Sequence, residues 1–134
     1  MSTQQISLEI TQLEEHAIRG FCEIMDYTLS QFIELTAVET MHRMGVFDHA
    51  DLVGKQLDWA DAPVRGQNEV AASIITVSFS PIYHQLATAV GRQLGIGARM
   101  FLVGAALRYI GDKKRRAGTA APLLQGLDVP SQYF

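Results

Sequence analysis

The chain has 134 residues, room for one domain of ordinary size or two very small ones and none for a large multidomain enzyme. Hydrophobic residues at 48% against charged residues at 19% argue for a packed core and against wholesale disorder. A net charge of −3 excludes a simple polycation that holds nucleic acid by bulk charge, yet residues 1–73 carry twelve acids against four bases, a balance of −8, while residues 74–134 carry two against seven, a balance of +5.

The first element in chain order is a strand. Ile6, Leu8 and Ile10 alternate with Ser7, Glu9 and Thr11, the pattern of a ribbon with one buried face. Thr11 and Glu14 then form a capping box, and Leu13, Ala17, Phe21 and Ile24 or Met25 recur at helical spacing up to Asp26. A second box, Thr28 with Gln31, opens another helix whose best apolar stripe is Phe32, Ile33, Ala37 and Met41. Strand, helix, turn and helix make up a first unit over 1–44.

Residues 45–73 show weak periodicity and read as a linker, with a short helix expected around His49–Gln56. His42, Asp48, His49 and Asp51 match no standard zinc or calcium spacing, so no metal is expected. A second unit follows over 74–116. Ile75, Val77 and Phe79 alternate with Thr76, Ser78 and Ser80, and Ser80-Pro81 supplies an N-cap with proline at the first helical position. Ile82, Leu86, Ala89, Val90 and Leu94 carry a helix to Gly95, and Gly95-Ile96-Gly97 turns the chain into the run Met100, Phe101, Leu102, Ala105, Ala106, Tyr109 and Ile110. Lys113-Lys114-Arg115-Arg116 ends this unit, and residues 117–134 form a tail with one acid, Asp128.

The two units align at a constant offset of 69 without a gap: Ile6 on Ile75, Thr11 on Ser80, Asp26 on Gly95, Phe32 on Phe101, Ala37 on Ala106. Identities are few, but both strand faces, both N-caps and the inter-helix turn recur in order. A unit of about 40 residues cannot bury its own strand face and helix stripes, so each needs the other.

Other chemistry is weakly represented. Cys22, the single cysteine, lies one residue from the apolar stripe and reads as a packed thiol. Gly91, Gly95 and Gly97 lack a following Gly-Lys-Ser/Thr and read as helix caps. No paired carboxylates, nucleophile arrangement or cofactor fingerprint stands out, and neither an enzyme nor a cofactor is expected. The uncharged stretch Val70–Gly91 contains Pro81, His84, Gln85 and five Ser/Thr, too polar a content for a membrane span. With no secretory pattern in MSTQQ, the expected location is the cytoplasm.

The stretch ITVSFSPIYHQLATAVGRQLGIGARMFLVGAALRYI resembles the ribbon-helix-helix superfamily of Arc and MetJ type, and the first unit resembles it too. The resemblance covers about residues 5–43 and 74–111. It implies a mainly α fold with a two-stranded antiparallel β-ribbon, built here as a tandem pseudo-dimer on one chain. It further implies double-stranded DNA as partner, the ribbon entering the major groove. By position, Gln5, Ser7, Glu9, Thr76, Ser78 and Ser80 would read base edges. Phosphates would be held around Thr28 and Ser30 and around Gly97, Ala98 and Arg99, helped by Lys113, Lys114, Arg115 and Arg116.

The function this implies is a plasmid or phage DNA-binding protein, a transcriptional regulator or an accessory factor. Neither strand offers an outward Arg or Lys, and Glu9 suits only a cytosine amino group. The alternative is a protein-binding inhibitor or adaptor that keeps the fold and uses its acidic first half on a basic partner. The tail, with Leu123, Leu124, Tyr133 and Phe134, offers a further protein contact, and pseudo-dimers pairing with one another are a further expectation.

Overall fold

The computed structural model describes residues 3–57, 59, 73–117 and 122–129. Two strands, β1 (Gln4–Ile10) and β2 (Ser73–Phe79), pair antiparallel. Each is followed by a helix of the same length, α1 (Gln12–Met25) and α3 (Pro81–Leu94), and then by a second helix, α2 (Leu29–Arg43) and α4 (Gly97–Ala117). The bounds of β2 and α3 fall 69 residues after those of β1 and α1. This matches the offset expected from sequence.

Local chemistry sets these boundaries. Thr11 caps α1 through a reciprocal box in which its amide donates to Glu14 Oε1 (2.7 Å) and its Oγ1 accepts from the Glu14 amide (3.1 Å). Thr28 and Gln31 repeat the device on α2 at 3.0 and 3.1 Å. Ser80 occupies the N-cap of α3 with Pro81 behind it but makes no side-chain cap bond. Both first helices end in a left-handed residue, Asp26 at φ 62° and Gly95 at φ 78°. Gly91 is needed for a different reason: a β-carbon there would lie 2.5 Å from the Gly97 carbonyl oxygen, where α3 and α4 cross closely.

The core lies between the ribbon and the helices. Ile6, Leu8 and Ile10 from β1 and Ile75, Val77 and Phe79 from β2 point into it, meeting Phe32, Ile33, Ala37 and Met41 of α2 and Phe101, Leu102, Ala106 and Ile110 of α4. Phe21, Phe32 and Tyr109 form a ring cluster with centroids 5.1–6.0 Å apart, Tyr109 meeting both phenylalanines edge to face. The helix α4 packs on α1, α2, α3 and β1, so the two halves share one interior. Burial of Phe21, Phe32, Phe79 and Phe101 supplies much of the driving force.

Three expectations need correction. The apolar faces of α1 and α3 are rotated from the expected stripe: Leu13 (44% exposed), Met25 (44%) and Ile82 (68%) face solvent, and Ala17, Ile18, Phe21 and Cys22 with Leu86, Ala87, Val90 and Gly91 face the core. On α1 Glu14, 1% exposed within its capping box, takes the inward position beside Leu13. The linker helix is only a 3₁₀ turn, His49–Leu52, capped by Asp48 and Asp51. Of the tail residues expected to offer a protein contact, Leu124 is instead turned into the core by a helical turn, α5 (Pro122–Gln125), as is Val129 beyond it, while Leu123 is exposed. Tyr133 and Phe134 lie outside the described residues, as do Val70 and Ala71–Ala72 at the end of the linker.

Candidate functional site

One face of the ribbon is left uncovered. Gln5, Ser7, Glu9, Ile74 and Thr76 are exposed on it and Ser78 is half-buried, since alternation sends every second side chain away from the helices. The register pairs Gln5 with Ser78, Ser7 with Thr76 and Glu9 with Ile74. Its midpoint, Ser7 opposite Thr76, joins two positions separated by the same offset of 69 as the elements.

The two ends of this face are finished differently. At one end Gln5 Nε2 donates to Ser78 Oγ (2.7 Å), and Gln4 Oε1 lies 3.2 Å from His84 Nδ1. The start of α2 covers the edge of β2 there, with the Ser78 amide donating to Ser30 Oγ (2.8 Å) and the Ser80 amide to Glu34 Oε1 (2.9 Å). At the other end stand Glu9 and Ile74, and Arg99 on the first turn of α4 donates from Nη1 to the Glu9 carbonyl (2.8 Å). Ser30 and Arg99 thus secure opposite ribbon edges, and each brings a helix N-terminus, with its outward amides and positive dipole end, beside the open face.

The structure gathers most of the expected positions and separates others. Gln5, Ser7, Glu9, Thr76 and Ser78 share the face, whereas Ser80 lies past the strand end at the cap of α3. Thr28, Ser30, Gly97, Ala98 and Arg99 lie at the two helix starts flanking it. The basic cluster does not join them. It sits at the far end of α4, about 24 Å along the axis from Arg99. Within it Lys114 is corrected from surface cation to internal strut: its side chain is buried and its ammonium donates to the Leu127 carbonyl. Arg115 pairs with Asp112, Lys113 lies 5.3 Å from the Tyr109 ring centroid, and Arg116 is exposed.

Sequence reasoning missed Ile74, 65% exposed at the position that corresponds to Gln5. The doublet Ile74-Ile75 hid it, because a strand alternating from Ile75 needs nothing apolar one residue earlier. Glu34 was missed as well, since its role depends on a strand 46 residues away.

Elsewhere the described residues offer little converging chemistry. Shallow grooves of about 410 and 420 Å³ run along α2, lined by Tyr27, Leu35, Val38 and Tyr83 and by Leu35, Val38, Glu39 and His42. No group of three His, Cys, Asp or Glu side chains that could hold a metal occurs among the described residues. Among them, too, no single helix is long and apolar enough to cross a membrane. Cys22 is enclosed, and its burial pushes the thiol up to about 11. Compared with protein-family models, curated proteins and solved structures, the chain matches none.

Proposed function

We propose that this chain is a cytoplasmic, sequence-specific DNA-binding protein of ribbon-helix-helix type, in which two tandem units close as a pseudo-dimer and lay the open ribbon face in the major groove. It acts as a transcriptional regulator or as an accessory factor on plasmid or phage DNA, without enzymatic activity of its own. The observation that carries this reading is the register: an antiparallel ribbon centred on Ser7 and Thr76, one from each unit, presents polar side chains between two helix N-termini. A two-stranded ribbon fits the width of the major groove, and a helix start at each end suits the phosphates that border it.

Arg99 supplies the cation at this face, with α4's first turn behind it. A gel-shift titration of the full chain on duplex DNA over a range of salt concentrations tests the proposal. Affinity is expected to fall linearly with log salt, and Arg99→Ala should weaken binding to all duplexes and lower the slope by about one. Absence of binding to any duplex at low salt would overturn it.

A second reading is favoured by Glu9 on the open face and Glu34 at its edge, which suit a basic protein surface better than phosphate. Charge reversal at Glu9 separates the two, raising affinity for DNA under the first and lowering affinity for a basic partner under the second.

A further inference from the structure

We infer that the ribbon reads an asymmetric DNA site, with an adenine under one end and a cytosine next to a thymine under the other. This rests on the DNA-binding reading above and gives it a sequence. The backbone of the ribbon repeats about its midpoint, but the side chains it exposes do not. Positions related by the offset carry Gln5 against Ile74 and Glu9 against Ser78, so cross-strand pairing collects Gln5 with Ser78 at one end and Glu9 with Ile74 at the other. A palindrome would present the same bases to chemically unlike ends.

Each end has its own complement. The Gln5 amide spends one N–H on Ser78 Oγ at 2.7 Å, which orients it and leaves the second N–H and Oε1 as an adjacent donor and acceptor. That pair matches adenine N7 and N6. At the other end a carboxylate has only acceptors to offer, and cytosine N4 is the major-groove donor it meets without a competing acceptor on the same base. Ile74, 65% exposed beside it, has an apolar surface for a thymine methyl. Gln5 and Glu9 are four residues apart on β1, about 13 Å, a span of about four base pairs.

Selection of bound sequences by the full chain from a random duplex library at low salt tests this. The expected consensus has no inverted repeat, an A·T pair at one end, and a C·G pair with a flanking T about four base pairs away. Gln5→Ala should reduce discrimination at the adenine alone, by roughly 5- to 150-fold. Glu9→Arg should replace C with G at the opposite end, tighten binding overall and leave the adenine in place. Both side chains are exposed, and an unchanged melting temperature checks that each variant folds. A palindromic consensus, or variants that bind duplex with unaltered preferences at both ends, overturns the asymmetric site while DNA binding stands. Failure of the unaltered chain to bind any duplex overturns both readings.

Discussion

Cys22 shows how much environment can do to one side chain. At 4% exposure among Ala17, Ile18 and Phe21 it has lost the water that would stabilise a thiolate, and its pKa rises from an ordinary 9.0 to about 11. Because the folded value lies above the unfolded one, the protonated thiol favours the fold. That contribution is intact below pH 9 and is lost as pH rises from 9 towards 11. Urea midpoints are therefore expected to drop across that window in the natural chain and to drop less in Cys22→Ala, which starts from a lower stability at neutral pH. A disulfide reagent at pH 8 should label the thiol only as fast as the protein opens. The packed thiol was legible from sequence, but which residues of α1 turn inward beside it was not, because that depends on how the helix docks against α4 and its other neighbours.

At the scale of elements, what could be read in advance was what neighbours in sequence decide. Thr11 with Glu14 and Thr28 with Gln31 are three residues apart, and both boxes form as expected. The same holds for the strand alternation and for the cap at Gly95, whereas the left-handed conformation of Asp26, a non-glycine residue, was not anticipated. The two boxes differ in setting: Thr11 is buried beside the ribbon, whereas Thr28 is exposed. Thr28→Ala should cost about 0.5–1 kcal/mol and Thr11→Ala nearer 2 kcal/mol, since the latter takes away, in a buried setting, the hydroxyl that accepts from the Glu14 amide, as urea denaturation of each variant would measure. What could not be read were contacts spanning 46 to 90 residues, such as Glu34 with Ser80 and Arg99 with Glu9, for which no local pattern exists. Lys114 belongs to the same class: four adjacent cations look alike in sequence, and only the returning tail distinguishes the one it covers.

For the whole molecule, the decisive fact is that the core is held in common. Phe32 and Phe101 occupy corresponding positions in the second helices, both fully buried, and α2 packs directly on α4. Truncating either ring should cost about 3–5 kcal/mol. The loss should show as a single shifted thermal transition rather than as melting of one half, because neither set of helices has an interior of its own. Two separated transitions in calorimetry of Phe101→Ala would show instead that the halves unfold independently. The division of charge is likewise a property of the whole. The seven bases of residues 74–134 lie on one unit of the shared fold, but the described part of that excess is spread along α3 and α4, with Arg99 at the ribbon and Arg116 at the opposite end of its helix.

Joining β1 and β2 on one chain also governs how the ribbon responds to dilution. A ribbon built from two separate chains vanishes as the square of concentration once the protein is scarce, and half-formed molecules then dominate. Here the partner strand is always within a tether's reach, so the ribbon is complete in every folded molecule however dilute the protein becomes. A cell that makes only a few molecules of such a protein has as many finished ribbons as it has chains.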